Sequence, residues 1–78
     1  MMECDDMTSN KSLIKLGAKI RSLRISQGFT QESFAEKAGL HRTYIGCVER
    51  GEKNITYTTA LKIADALEMR LSDLLDLD

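Results

Sequence analysis

Residues 30–55 read "TQESFAEKAGLHRTYIGCVERGEKNI", and the fold turns on how this stretch divides. Phe34, Ala35 and Ala38 share one side of a first short helical segment, and Ile45 and Val48, three apart, share one side of a second. Thr30 is a helix-capping residue type set just before the first segment, and Gly39 and Gly51 stand where the two segments should stop. A small residue at Ala35 lets another helix backbone cross closely. Gly39, four positions on, can take the left-handed conformation that turns the chain sharply.

Outward from this unit, "LIKLGAKIRSLRISQG" carries Leu13, Leu16, Ile20 and Leu23 at helical spacing and runs to Gly28, an expected C-cap. After the 39–51 segment, "YTTALKIADALEM" predicts a fourth helix capped by Thr56, with Leu61, Ala64 and Leu67 inward. Ser72 is then expected to cap a last turn or two, "DLLDL". With no proline, two tyrosines, two phenylalanines and no tryptophan among 78 residues, the composition favours an all-α chain of five helices. The expected organisation is a loose N-terminal tail over residues 1–10 and one domain over 11–78. A domain this small hides only about 60% of its unfolded surface, so a second subunit would help it.

The net charge of −1 decides nothing, but its distribution does. Residues 19–53 hold Lys19, Arg21, Arg24, Lys37, Arg42, Arg50 and Lys53 against Glu32, Glu36, Glu49 and Glu52, a net of +3, whereas residues 54–78 carry a net of −3. One face is expected to be basic and another acidic. Cys4 and Cys47 lie far apart without CxxC spacing, so neither a disulfide framework nor a zinc site is expected, and the chain is placed in a reducing cytoplasm. No apolar run approaches the roughly 20 residues of a membrane span. His41 has no second histidine or acid–cysteine cluster around it, and no serine or cysteine has an evident base beside it. No metal, cofactor or catalytic site is expected, and the chain is not predicted to be an enzyme.

Two short helices joined by a glycine turn make a helix-turn-helix, here formed by helices 2 and 3, whose second helix keeps its outer face free for a DNA major groove. A helical hairpin without a ligand explains any one of these positions, but not their coincidence. Residues 13–75 resemble the Xre-like helix-turn-helix family of Cro and phage-repressor proteins, in which five helices form the domain and the third reads DNA. Within it, "HRTYIGCVERGEKNIT" is most similar to the controller proteins of restriction–modification systems, with an Arg-Thr-Tyr-Ile start to the recognition helix and Asn-Ile after the Glu-Arg-Gly turn.

The resemblance implies a homodimeric transcriptional regulator that binds a partly palindromic operator upstream of its own gene and activates or represses it, with RNA polymerase as a further partner. A phage-type repressor or an antitoxin-like protein-interaction module is the alternative.

Arg42 is expected to read a base, since guanidinium can pair with guanine O6 and N7, or else to hold a phosphate. Thr43 can meet a thymine methyl or serve as a local cap. Gly46 and Cys47 occupy positions where the family shows base readers, and glycine there costs roughly 1 kcal/mol of helix stability against alanine, which close approach to DNA would justify. Gln31 is assigned a phosphate at the N-terminus of helix 2. Tyr44 is assigned a phosphate or groove wall, with partial burial as the other reading. Arg50, Lys53 and Asn54 are expected to clamp phosphate after the recognition helix, although Arg50 could pair with Glu36 instead. Where the family carries Ser, Asp or Thr as the helix cap this chain has His41, expected in a structural role or at a phosphate. Leu71, Leu74, Leu75 and Leu77 are assigned to the dimer seam, with Met69 and Leu71 also inward.

Overall fold

The computed structural model describes residues 11–77, and the tail expected over residues 1–10 lies outside them. Five helices follow one another: α1 Lys11–Ser26, α2 Gln31–Ala38, α3 Arg42–Glu49, α4 Tyr57–Ala66 and α5 Leu71–Leu74. The fold is all-α, with no strand among the described residues.

Local chemistry sets the boundaries. Thr30 and Ser33 form a reciprocal cap on α2: Ser33 N–H donates to Thr30 Oγ1 at 3.0 Å and Thr30 N–H to Ser33 Oγ at 2.9 Å, satisfying two otherwise orphaned donors. Thr56 Oγ1 accepts from Thr59 N–H at 3.1 Å at the start of α4. The left-handed residue after α4 is Glu68, at φ 58, a conformation that costs a residue with a Cβ about 1 kcal/mol or more. Its Lys37 partner, 3.1 Å away, and its N–H bonded to Asp65 C=O accompany that conformation.

Leu16 and Ile20 of α1, Phe34, Ala35 and Ala38 of α2, Ile45 and Val48 of α3, and Ile63, Ala64, Ala66, Leu67 and Leu74 make one buried core. Three expectations fail at its lower end. On α4 and its C-cap the buried residues are Ala60, Ile63, Ala64, Ala66 and Leu67, whereas Leu61, at about 100° from Ala60 on the opposite flank to Ala66, is half-buried. The last helix begins at Leu71 with Arg70 as N-cap and no side-chain cap, so Ser72 lies inside α5 rather than in front of it. Leu74 is fully buried, which places it in the core of its own chain rather than at a subunit seam. Leu71 and Leu77 pack partly against that core, and Leu75 is 48% exposed.

Two contacts lock α1 behind α3. A Cβ on Gly17 would lie 2.6 Å from Glu49 O and closer still to Val48 O, so only glycine admits the end of α3 at this crossing. One helical turn earlier, Ile14 presses on Gly51, where a Cβ would fall 2.7 Å from Ile14 Cα. Gly51 also stands at φ 73, so two independent constraints favour glycine there. Midway along α1, Lys19 Nζ donates to the carbonyls of Asp73 and Asp76, the latter at 2.6 Å, closing the C-terminus of α5.

Candidate nucleic-acid interface

The turn between α2 and α3 is made as its residues require. Gly39 adopts φ 73, ψ 32 and donates its N–H back to α2, and Leu40 N–H reaches Ala35 C=O at 2.8 Å. The chain leaves this turn extended through His41, whose Nδ1 accepts from Thr43 N–H at 3.1 Å. Histidine thus does at the α3 N-terminus what serine or aspartate usually does, with a ring nitrogen as the acceptor.

From behind, α3 is held by Ile45 and Val48, both buried. Its outer face begins with Arg42 and Thr43, which are exposed, the Arg42 side chain to 65%. Arg42 Nη1 stands 3.8 Å from Glu32 Oε2 on α2. Both groups are well solvated, so that pair orients Arg42 loosely and contributes little to stability. Tyr44 is half-buried against the core, the reading left open beside a backbone contact.

Gly46 and Cys47 were expected among the positions open to DNA, and both are buried. Over Gly46 lie side chains from elsewhere: a Cβ there would sit 3.3 Å from Arg50 Nη1 and 3.7 Å from Gln31 Oε1. A Cβ at 46 would touch Gln31 at ordinary contact distance and Arg50 Nη1 slightly closer, so those two side chains lie against the bare backbone of α3. Cys47 is 2% exposed, and its sulfur accepts from Arg50 Nη2 at 3.8 Å. Cys4, the other cysteine in the sequence, lies outside the described residues.

Around this face, Arg50 pairs with Glu52 at 3.1 Å and not with Glu36, because two residues apart across the Gly51 turn brings their heads together. Lys53 is half-buried and Asn54 exposed in the loop that follows. The structure therefore gathers Gln31, Arg42, Thr43, Gly46 and Arg50 on and around α3, with Leu75 apart from them at the C-cap of α5.

The sequence reading missed the group that ties these parts together. Glu49, at the end of α3, accepts from Arg24 Nε at 2.6 Å and Arg24 Nη2 at 3.1 Å, a forked pair in the interior. Arg24 Nη1 donates to Phe29 C=O at 2.8 Å, and Gln31 Nε2 donates to Glu49 Oε1 at 3.0 Å. One carboxylate thus joins the end of α1, the start of α2 and the end of α3. The signal was present in spacing: Arg24 comes four after buried Ile20, and Glu49 four after buried Ile45, so each charge continues an apolar stripe. Every buried side-chain polar atom among the described residues has a partner.

A family model described as helix-turn-helix matches residues 20–74 of this chain. The control protein C.SmaI of Serratia marcescens is 47% identical over 60 residues, covering 77% of this chain and 71% of that protein. The control protein C.BamHI of Bacillus amyloliquefaciens is 42% identical over 71 residues, 90% of this chain and 86% of that one. Among solved structures, the restriction-modification controller protein C.AhdI from Aeromonas hydrophila superposes with a TM-score of 0.81 at 40% identity, covering 83% of this chain and 98% of that chain.

Proposed function

Because the chain belongs to the helix-turn-helix family, we propose that it is a DNA-binding transcriptional regulator of the controller type found beside restriction–modification enzymes. Its relatives are control proteins rather than enzymes, and its role is regulatory. The single observation that carries the reading is the presentation of α3: Ile45, Val48 and Glu49 hold it from behind while Arg42 and Thr43 project from its first turn. A helix fixed this way enters a major groove by its N-terminal residues.

In this reading Arg42 pairs with guanine edges and Thr43 meets a thymine methyl, both from the exposed first turn of α3. Gln31, Tyr44, Arg50, Lys53 and Asn54 hold the phosphates on either side, which sets register and makes affinity fall steeply with salt. Residues 11–78 act as one DNA-binding and dimerising domain. Leu75 is the exposed apolar group at the subunit seam, flanked by Leu71 and Leu77. A two-fold dimer places two recognition helices about 34 Å apart on a partly palindromic operator upstream of its own gene. Activation or repression then follows from where that operator lies relative to RNA polymerase in the cytoplasm.

A mobility-shift titration of the purified protein against the DNA upstream of its own start codon, with scrambled duplex as competitor, tests the proposal. A discrete complex that survives competitor, with two chains per operator, is the expected result. Equal binding to operator and scrambled duplex would leave the fold standing and remove the self-regulating controller.

A further inference from the structure

Most basic side chains near the α2–α3 unit are already engaged. Arg24 is locked to Glu49, Lys37 to Glu68, Arg42 faces Glu32, Arg50 holds Glu52, and Lys19 closes the end of α5. Among the described residues Lys11, Lys15 and Lys53 form no ion pair, and Lys11 and Lys15 are exposed.

Their place on α1 is fixed by the contact behind α3. Gly17 meets Val48 and Glu49, and Ile14 meets Gly51, so the end of α3 and the turn after it run across the first two turns of α1. At about 100° per residue, Gly17 lies roughly 60° to one side of Ile14, while Lys11 and Lys15 lie roughly 60° and 100° to the other. The chain moves from Gly17 to Ile14 as it goes from Val48 to Gly51. Lys11 and Lys15 flank Ile14 on α1, so both stand on the helical turns that carry the Gly51 contact. Two exposed, unpaired ammonium groups therefore sit on α1 beside the contact between Ile14 and Gly51, the turn that ends the recognition helix and leads into Lys53 and Asn54.

We propose that Lys11 and Lys15 form a backbone-phosphate contact on the first turn of α1, widening the DNA footprint of each subunit beyond the helix-turn-helix. The inference rests on the DNA-binding reading above. Lysine is suited to this task because its flexible stem and point charge follow a polyanion without demanding one geometry. The contact adds affinity for every duplex alike and carries no base preference.

The test is a salt titration with the full chain and a random-sequence duplex, following the observed binding constant against salt on logarithmic axes. The double variant Lys11→Ala, Lys15→Ala is compared with wild type and with Lys62→Ala, Arg70→Ala, which removes the same charge from the exposed acidic half. Alanine is favourable in an exposed helix, and circular dichroism confirms that each variant is folded. Two lost phosphate contacts should flatten the slope by about 1.8 per bound subunit, with the slope of the control pair unchanged. Working above 0.1 M salt, where screening extends only about 10 Å, separates contact from overall charge. A wild-type slope in the α1 variant, or equal flattening in both variants, would overturn the footprint while DNA binding stands. A wild-type chain that binds no duplex would overturn the function reading and this inference with it.

Discussion

Glu49 faces Arg24 across the interior at 2.6 and 3.1 Å, and the same carboxylate takes a third hydrogen bond from Gln31 at 3.0 Å. A charge buried in this way is strongly destabilising when its partner is removed, because it is left without water or counter-charge. Arg24→Ala or Glu49→Ala should each cost about 3–5 kcal/mol, read as a lowered urea midpoint. The double change Arg24→Met, Glu49→Leu should recover most of that loss. If each single variant costs under about 1 kcal/mol, the pair is not what joins the three helices.

Gly17→Ala reverses the ordinary sign of a helix substitution. On propensity alone alanine would stabilise mid-helix by about 1 kcal/mol, yet here its methyl would meet the Val48 and Glu49 carbonyls. Backbone atoms cannot swing aside as a side-chain end can, and overpacking typically costs 1–3 kcal/mol. Thermal unfolding should show a lower midpoint. A raised one would mean that α1 and α3 cross less closely.

His41→Ala should cost about 1 kcal/mol through loss of the acceptor for Thr43 N–H, with no change in the core. His41→Asn, which keeps a short acceptor, should retain most of the stability. Chemical denaturation of the three proteins side by side settles whether the ring nitrogen is the cap.

Arg42→Ala should weaken binding to the cognate operator by about 1–3 kcal/mol and relax the preference at one base pair in each half-site. Lys53→Ala should weaken operator and random duplex alike. Competition binding against single-base operator variants distinguishes them, and equal losses on both DNAs for Arg42→Ala would make it a phosphate contact.

Leu74 and Leu75 are neighbours with opposite predictions. Leu74→Ala empties a fully buried site and should cost about 2–5 kcal/mol of stability. Leu75→Ala should leave the monomer's stability within about 0.5 kcal/mol and raise the dimer dissociation constant, measured by sedimentation equilibrium. A dimer unaffected by Leu75→Ala would move the seam away from α5.

What the sequence reveals about this fold is mostly what is local. Thr30, Gly39, Gly51 and Thr56 act within a few residues of themselves, so each cap and stop was legible before any tertiary contact was known. Ile45 and Val48 were legible because period alone fixes the inner face of so short a helix. By contrast, Gly17 and the Arg24–Glu49 pair depend on segments 25 or more residues apart meeting at one point, and α4 offered two apolar rows between which only packing could choose. The same limit applies to the recognition face. Arg42 and Thr43 lie open as their positions suggest, but the covering of Gly46 needed side chains from another helix and from the turn beyond.

That covering bears on how such a protein can change its target. Gln31 and Arg50 lie over the bare backbone of Gly46, so the surface presented at the middle of α3 belongs partly to residues outside the helix itself. Exchanging residues at 31 and 50 therefore reshapes the surface over the middle of α3 while leaving the helix and its anchors intact. A methyl at 46 would instead meet Gln31 in ordinary contact and need the flexible end of Arg50 to give way slightly, so change at this surface is expected to involve 31, 46 and 50 together.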